Sequence, residues 1–360
     1  MGLTADEFTI QFIATLIKFA IVAGLLLQIP PLMVWAERRI PAMMQRRKGP
    51  NRVGIFKWRI YGLMQSLADT IKLIFKEEVV PEGAQKAFYH LAPVFSVFPA
   101  FLIAMAIPYG PDIHAFGTII PLSVIRVDVG FLFIFAVSSL AVYGITIAGW
   151  ASNNKYSLLG SLRASAQMIS YEIPLGMSLI PPVLIYGSLD LNKIVEAQNH
   201  FWKWGVFLSP LSFVLFLIAM FAETNRAPFD LAEAEGELVA GFHTEYTSAK
   251  FAAFFLGEYV GMFVLSCLAS TMFFGGWQIP FIDVQKLDEL TGFIGVSAIF
   301  GHVTLMLKAT FFMWLYVWVR WTVPRFRYDQ LMSLGWKYMI PLGLVNVVLT
   351  AVVLAAVRFS

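Results

Sequence analysis

Eight apolar runs divide this chain and dictate what it can fold into. They fall near residues 10–34, 91–109, 129–150, 164–187, 206–222, 250–275, 296–319 and 337–357. Each is close to the ~20 residues that the hydrocarbon core of a bilayer requires of a helix. Pro108 ends the second, and the fifth is short. With 58% of the 360 residues apolar and 14% charged, the chain carries far too little charge to cover the surface of a soluble protein this long. The expected fold class is an all-α polytopic membrane protein, one integral membrane domain over residues 1–360 with about eight transmembrane helices.

Basic residues then orient the spans. The segments 35–90, 151–163, 223–250 and 320–337 hold 19 of the 26 Lys and Arg, and the opposite side holds five. The Lys/Arg-rich side is cytoplasmic, which puts both termini outside. Asp6 and Glu7 near the start, with no basic n-region and no small-residue cleavage site, give no sign of a cleaved signal peptide. A net charge of +3 on such a chain carries no message about nucleic acid, and none is expected as a partner. The single cysteine, Cys267, lies within a span. Alone it holds neither a disulfide nor a cluster, so no flavin, haem or iron–sulfur centre is expected in this chain.

The segment 35–90 is more than a linker. Ile60, Leu63, Met64, Leu67, Ile71, Ile74 and Phe75 recur at helical spacing, with Arg59, Asp69, Lys72 and Lys76 elsewhere. This predicts an amphipathic surface helix near 57–78, lying against lipid. Charges inside spans are costly and mark either ion pairs or function. Glu172, Glu258 and Lys308 are of this kind; for Lys18, with no evident partner, the structural role is favoured. After the fifth span six acids crowd between Glu223 and Glu245, with Arg226 and His243 as the available cations. Asp230, Glu233 and Glu237 recur at i, i+3, i+7, the spacing of one helical face, and Pro228 stands where a first turn would start. Like charges this dense raise one another's pKa and can hold and release protons. A solvated acidic loop is the plainer alternative.

Several motifs in order carry a resemblance. They are Gly149-Trp-Ala-Ser-Asn153, Tyr156-Ser-Leu-Leu-Gly160, Ile169-Ser-Tyr-Glu172, Glu223-Thr-Asn-Arg-Ala-Pro-Phe-Asp230 and Pro324-Arg-Phe-Arg-Tyr-Asp-Gln330. Together they resemble the signatures of the membrane H subunits of bacterial proton-pumping NADH:quinone oxidoreductase, respiratory complex I. The resemblance runs from Glu37 to about Leu342. It implies a multi-pass subunit of the bacterial inner membrane that forms part of the quinone chamber and couples quinone reduction to proton translocation. It implies quinone as substrate, with electrons supplied by the cluster-bearing quinone-site subunits of the hydrophilic arm, and the other membrane-arm subunits and lipid as further partners.

Carried over by motif, Glu37, Arg38, Arg47 and Asp69 match positions at the mouth of the quinone chamber. Arg320, Arg325, Arg327 and Asp329 match the basic final loop beside it. Glu172, Glu223, Glu233, Glu235, Glu237, Glu245 and Glu258 match the acidic path into the membrane, and Lys308 matches a family lysine. Three departures stand out. Gln65-Ser66 replaces a usual Gln-Pro, the 56–60 segment is longer than usual, and Glu233-Ala-Glu-Gly-Glu237 replaces Glu-Gly-Glu-Ser-Glu while keeping every carboxylate. The matching subunit of an energy-converting hydrogenase and a stand-alone proton or secondary transporter are the alternatives.

Overall fold

The structure, a computed structural model, describes residues 5–54, 60–115, 118–230, 239–282, 284, 287, 288, 293 and 295–359. Among the described residues, eight apolar helices occur in the predicted order. They are α1 (Ala5–Met44), α3 (Lys86–Ala106), α4 (Gly130–Ala151), α5 (Lys155–Tyr186), α8 (Pro210–Glu223), α9 (Ser248–Phe273), α10 (Val296–Thr322) and α12 (Ile340–Phe359). Shorter helices intervene: α2 (Leu63–Phe75), α6 (Leu191–Ala197), α7 (Gly205–Leu208) and α11 (Tyr328–Ser333), with one antiparallel pair, β1 (Ile113–Ala115) and β2 (Thr118–Ile120). Among the described residues, seven stretches are long and apolar enough to cross a bilayer, the last formed by α11, a π-helical turn at Leu334–Met339 and α12 together. This is an all-α multi-pass membrane protein.

Four departures from the sequence reading matter for the site. First, α1 runs 40 residues rather than ending near 34, absorbing Pro30, Pro31 and Pro41. At 1.5 Å per residue it reaches about 60 Å, twice the ~30 Å hydrocarbon core, so its last turns carry Glu37 and Arg38 beyond the span.

Second, the predicted surface helix near 57–78 is shorter. It begins at Leu63 after Tyr61 and Gly62 in left-handed backbone, φ 49° and 88°. A Cβ at Gly62 would lie 1.9 Å from the carbonyl oxygen of Pro50, so only glycine fits there. The predicted apolar stripe survives on α2, where Leu67, Ile71, Ile74 and Phe75 stay exposed while the helix packs on α1 and α9.

Third, residues 155–163, expected as loop, are the first turns of α5. Asn154 caps them by accepting from the amide of Tyr156 at 2.9 Å. The chain enters this cap through Asn153, in left-handed backbone at φ 51°.

Fourth, the fifth predicted span is broken at Ser209. Its remaining helix, α8, has 14 residues and spans about 21 Å. The irregular backbone that follows is buried because its carbonyls find side-chain donors. Gln167 Nε2 donates to Ala222 O and Phe229 O at 2.8 and 2.9 Å, and Tyr316 Oη donates to Met220 O at 2.9 Å. Within a membrane only such partners make non-helical backbone tolerable.

Helix α3 packs on α4 and α9, α4 on α5, and α5 on α8 and α12. The shared core is aromatic: Phe216, Phe273, Phe312 and Tyr316 are all buried. Asn346 of α12 is tied to Ser212 of α8 at 2.7 Å.

Candidate functional site

The site grows from the end of α8. Glu223 closes the helix, Asn225 turns back through φ 50°, and Arg226 is driven inward to 6% exposure. A buried guanidinium demands anions, and three other helices supply them or their partners. Arg226 Nη1 donates to Glu37 Oε1 of α1 at 2.9 Å, and Arg226 Nε forms an ion pair with Glu258 of α9. The ring of Tyr259 lies under the guanidinium, 4.4 Å from ring centre to Cζ. The second oxygen of Glu37 accepts from Tyr259 Oη and from Arg320 Nη1 of α10, both at 2.9 Å. Glu37 and Glu258 are 12% and 17% exposed. Two acids and two arginines thus neutralise each other within one buried network.

Beside this network lies a partly open cavity of about 120 Å³ between α3, α4, α5 and α9. It is largely apolar, with Glu223, Glu258, His243, Asn225, Ser96 and Ser138 among its lining residues. Its volume has room for several water molecules. Glu223 Oε2 is buried without a hydrogen-bond partner. Glu172 of α5 is half-buried within electrostatic range of Glu223. The structure therefore brings Glu37, Glu258, Arg320 and Glu223 to one place, with Glu172 close by.

Other sequence candidates stand apart. Arg38 and Asp69 pair at 2.5 Å between α1 and α2, and Gln65 Nε2 also donates to Asp69 at 2.9 Å. Arg47 contacts the Gln45 side chain on the exposed turn after α1. Arg325 binds Asp230 at 3.0 Å, and Arg327 faces Asp329 at 3.4 Å on an open surface. Burial holds the Asp230 carboxyl above its usual range, although Arg325, Arg320 and Arg226 pull it down. Glu245 accepts from Asn154 Nδ2 at 2.5 Å in a second, open cavity. Glu233, Glu235 and Glu237 lie outside the described residues. Pro228 stands in a turn after α8, not at a helix start.

The two intramembrane lysines have carbonyl partners. Lys18 donates to Pro121 O and Ser123 O at 2.9 and 3.1 Å, carbonyl acceptors rather than the ion pair the sequence reading favoured. Lys308 donates to Phe274 O, Gly276 O and Gln278 O at 2.7, 2.8 and 2.7 Å, and its Nζ stands 4.6 Å from the Trp204 ring centre. The open carbonyls beyond α9 thus stand where an ion-pair partner would be expected.

Tyr259, Asn154 and Gln167 contribute without being singled out by the sequence, although Tyr259 is adjacent to Glu258 and Gln167 is a polar residue inside a span. His243 reads in sequence as a cation, yet burial pushes its imidazole down to about 4, which leaves it neutral at pH 7.

Comparison with known proteins agrees with this architecture. The model of the family described as NADH dehydrogenase matches residues 17–351. An NADH-quinone oxidoreductase H subunit of Geobacter metallireducens is 48% identical over 339 residues, covering 94% of this chain and 96% of its own. The corresponding H subunit of Protochlamydia amoebophila is 49% identical over 322 residues, covering 89% and 91%, and that of Cytophaga hutchinsonii is 46% identical over 316, covering 88% and 89%. The hydrogenase and lone-transporter alternatives fall away, and the chain belongs to the NADH dehydrogenase family, as an H subunit of NADH-quinone oxidoreductase and so part of an oxidoreductase complex.

Proposed function

We propose that this subunit forms part of the chamber in which quinone is reduced, and couples that reduction to proton translocation through buried carboxylates. One observation carries the reading: Arg226 holds Glu37 and Glu258 at once. Glu37 belongs to the charged end of α1 beside Arg38 and is bonded to Arg320; in this reading Arg47, Asp69, Arg325, Arg327 and Asp329 extend the chamber. Glu258 lines the cavity with Glu223. A guanidinium shared by two acids links the two regions electrically.

Two-electron reduction of a quinone creates oxygens that take up two protons. A unit charge arising ~10 Å from a carboxylate changes its energy by about 1.7 kcal/mol at an effective dielectric of 20. That exceeds the ~1.36 kcal/mol worth of one pKa unit, enough to shift a proton equilibrium at Glu258 or Glu223 more than about tenfold. Glu172, the loop acids Glu233, Glu235 and Glu237, and Glu245 extend the path in this reading. Lys308, bound to three carbonyls, serves as an anchor rather than a carrier. The quinone tail suits the apolar surface of α2, and electrons come from the cluster-bearing subunits of the hydrophilic arm. The subunit sits in the bacterial inner membrane among the other membrane-arm subunits, with both termini periplasmic.

The test uses the assembled complex in vesicles. Glu223→Gln, Glu258→Gln and the double variant Glu233→Gln/Glu235→Gln should each slow NADH:quinone turnover and reduce protons pumped per NADH. NADH oxidation by an artificial acceptor upstream should stay normal. Wild-type turnover and pumping in all three assembled variants would remove the carboxylate path.

A further inference from the structure

Two cavities meet at one turn of the chain. The inner one is the cavity holding Glu223 and Glu258. The outer one, about 430 Å³ and open, is lined by Pro81, Gly83, Ser152, Asn154, Lys155 and Glu245. No lining residue is shared. Between them runs the 3₁₀ turn Gly241–His243, continued by Thr244 and Glu245. His243 faces the inner cavity, and Glu245, two residues on, faces the outer.

The turn is firmly held. Ser157 Oγ donates to Phe242 O at 2.8 Å, and Thr244 Oγ1 donates to Gly241 O at 2.7 Å. At Gly160 a Cβ would meet the Gly241 Cα at 2.7 Å, so α5 and the turn touch backbone to backbone. The His243 ring is 8% exposed and packs edge-on against Phe251 and Phe255. It is a polar group among aromatic rings, one of which, Phe255, also lines the inner cavity.

We propose that His243 is a proton relay that loads the inner cavity from the open side at Glu245, by a route that bypasses the quinone chamber. This rests on the reading that Glu223 and Glu258 carry protons. A neutral imidazole accepts a proton at one nitrogen and releases one from the other, so it passes protons without keeping a charge in an apolar wall. The proton enters from water by way of the Glu245 carboxylate and ends on Glu223 or Glu258 through cavity water. The tautomer is restored when the ring turns over. Burial keeps His243 neutral across the working pH range, as the relay requires. Glu223 Oε2, with no hydrogen-bond partner, is a ready acceptor.

The experiment compares His243→Phe, which keeps the aromatic packing, with His243→Gln, which keeps polarity, in the full complex in vesicles. A positioned acid–base group contributes ~10²–10⁴-fold in rate, so the rate of proton pumping should fall at least about tenfold in both. The solvent deuterium isotope effect on the remaining quinone turnover should rise above wild type, because proton delivery has become limiting. Oxidation of NADH by an upstream artificial acceptor should not change. Wild-type pumping in His243→Gln, alongside uncoupling in Glu223→Gln, would overturn the relay and leave the carboxylate path standing. Reduced pumping with an unchanged isotope effect would also overturn it, as a packing defect. Full coupling in Glu223→Gln would remove the underlying path and the relay with it. Should His243→Phe fail to assemble, His243→Gln decides alone.

Discussion

Arg226 and Glu37 meet at 2.9 Å across 189 positions of sequence. The contact joins the end of α1 to the loop after α8. Because Arg226 also pairs with Glu258, removing the guanidinium leaves Glu258 buried without its cation, whereas Glu37 keeps Arg320 and Tyr259. Breaking a buried pair from one side costs about 3–5 kcal/mol. Arg226→Met should therefore lower the melting temperature and the yield of assembled complex. Adding Glu258→Gln should restore part of the loss, with a coupling of about 0.5–3 kcal/mol in the double-mutant cycle. Strict additivity would mean the two do not share an energetic contact.

The pH dependence of stability has a definite sign at His243. Burial holds the folded imidazole at about 4, against ~6.5 unfolded. Between those values the unfolded chain binds the extra proton. Stability is thus fully present above about pH 6.5 and drains away as pH falls toward 4, by on the order of 3 kcal/mol. Thermal melts of the purified complex from pH 7 to 4 should show this slope, and His243→Gln should flatten it.

Lys308→Met tests the anchor. The variant strips the donors from three carbonyls beyond α9, and each buried acceptor left unmade costs about 1–3 kcal/mol. Assembly, read on native gels, should drop while each surviving complex keeps its protons per NADH. Full assembly with lost pumping would return Lys308 to the proton path.

The topology is checked by labelling. Cys267 is buried, so cysteines placed at the exposed positions Asn153 and Trp202 report cleanly for this chain. An impermeant thiol reagent added from the periplasm should modify position 202 and spare 153. The reverse pattern would invert the orientation.

The helices are legible in the sequence because hydropathy is local: span after span lies where the apolar runs are. What the sequence hides depends on chain far away or on backbone. Nothing near Glu37 in sequence announces Arg226, and Lys308 is satisfied by carbonyls, which every residue has. Periodicity places the start of the amphipathic helix too early, because that start is set by Gly62 against Pro50, a contact periodicity does not register. Among neighbouring acids His243 looks like a cation. Its aromatic surroundings, Phe251 and Phe255 from α9, make it neutral.

Gly160→Ala probes the seat of the turn. The added methyl meets backbone, which cannot rotate away, and overpacking of this kind costs about 1–3 kcal/mol. The variant should melt lower and pump less per NADH. Wild-type behaviour in both measurements would mean the turn yields freely.

That backbone contact also has a mechanical side. Where side chains separate two elements, a displacement of one is partly absorbed by rotamer changes in between. Gly160 and Gly241 leave nothing in between, so α5 and the turn form a stiff joint. Further along α5 stands Pro174, which cannot donate to Ser170 and so leaves a compliant point one turn wide, with Glu172 inside it. The helix is therefore rigid where it carries the His243 turn and pliant where it carries Glu172. Force applied at one end bends it at the acid and moves the turn as a solid piece.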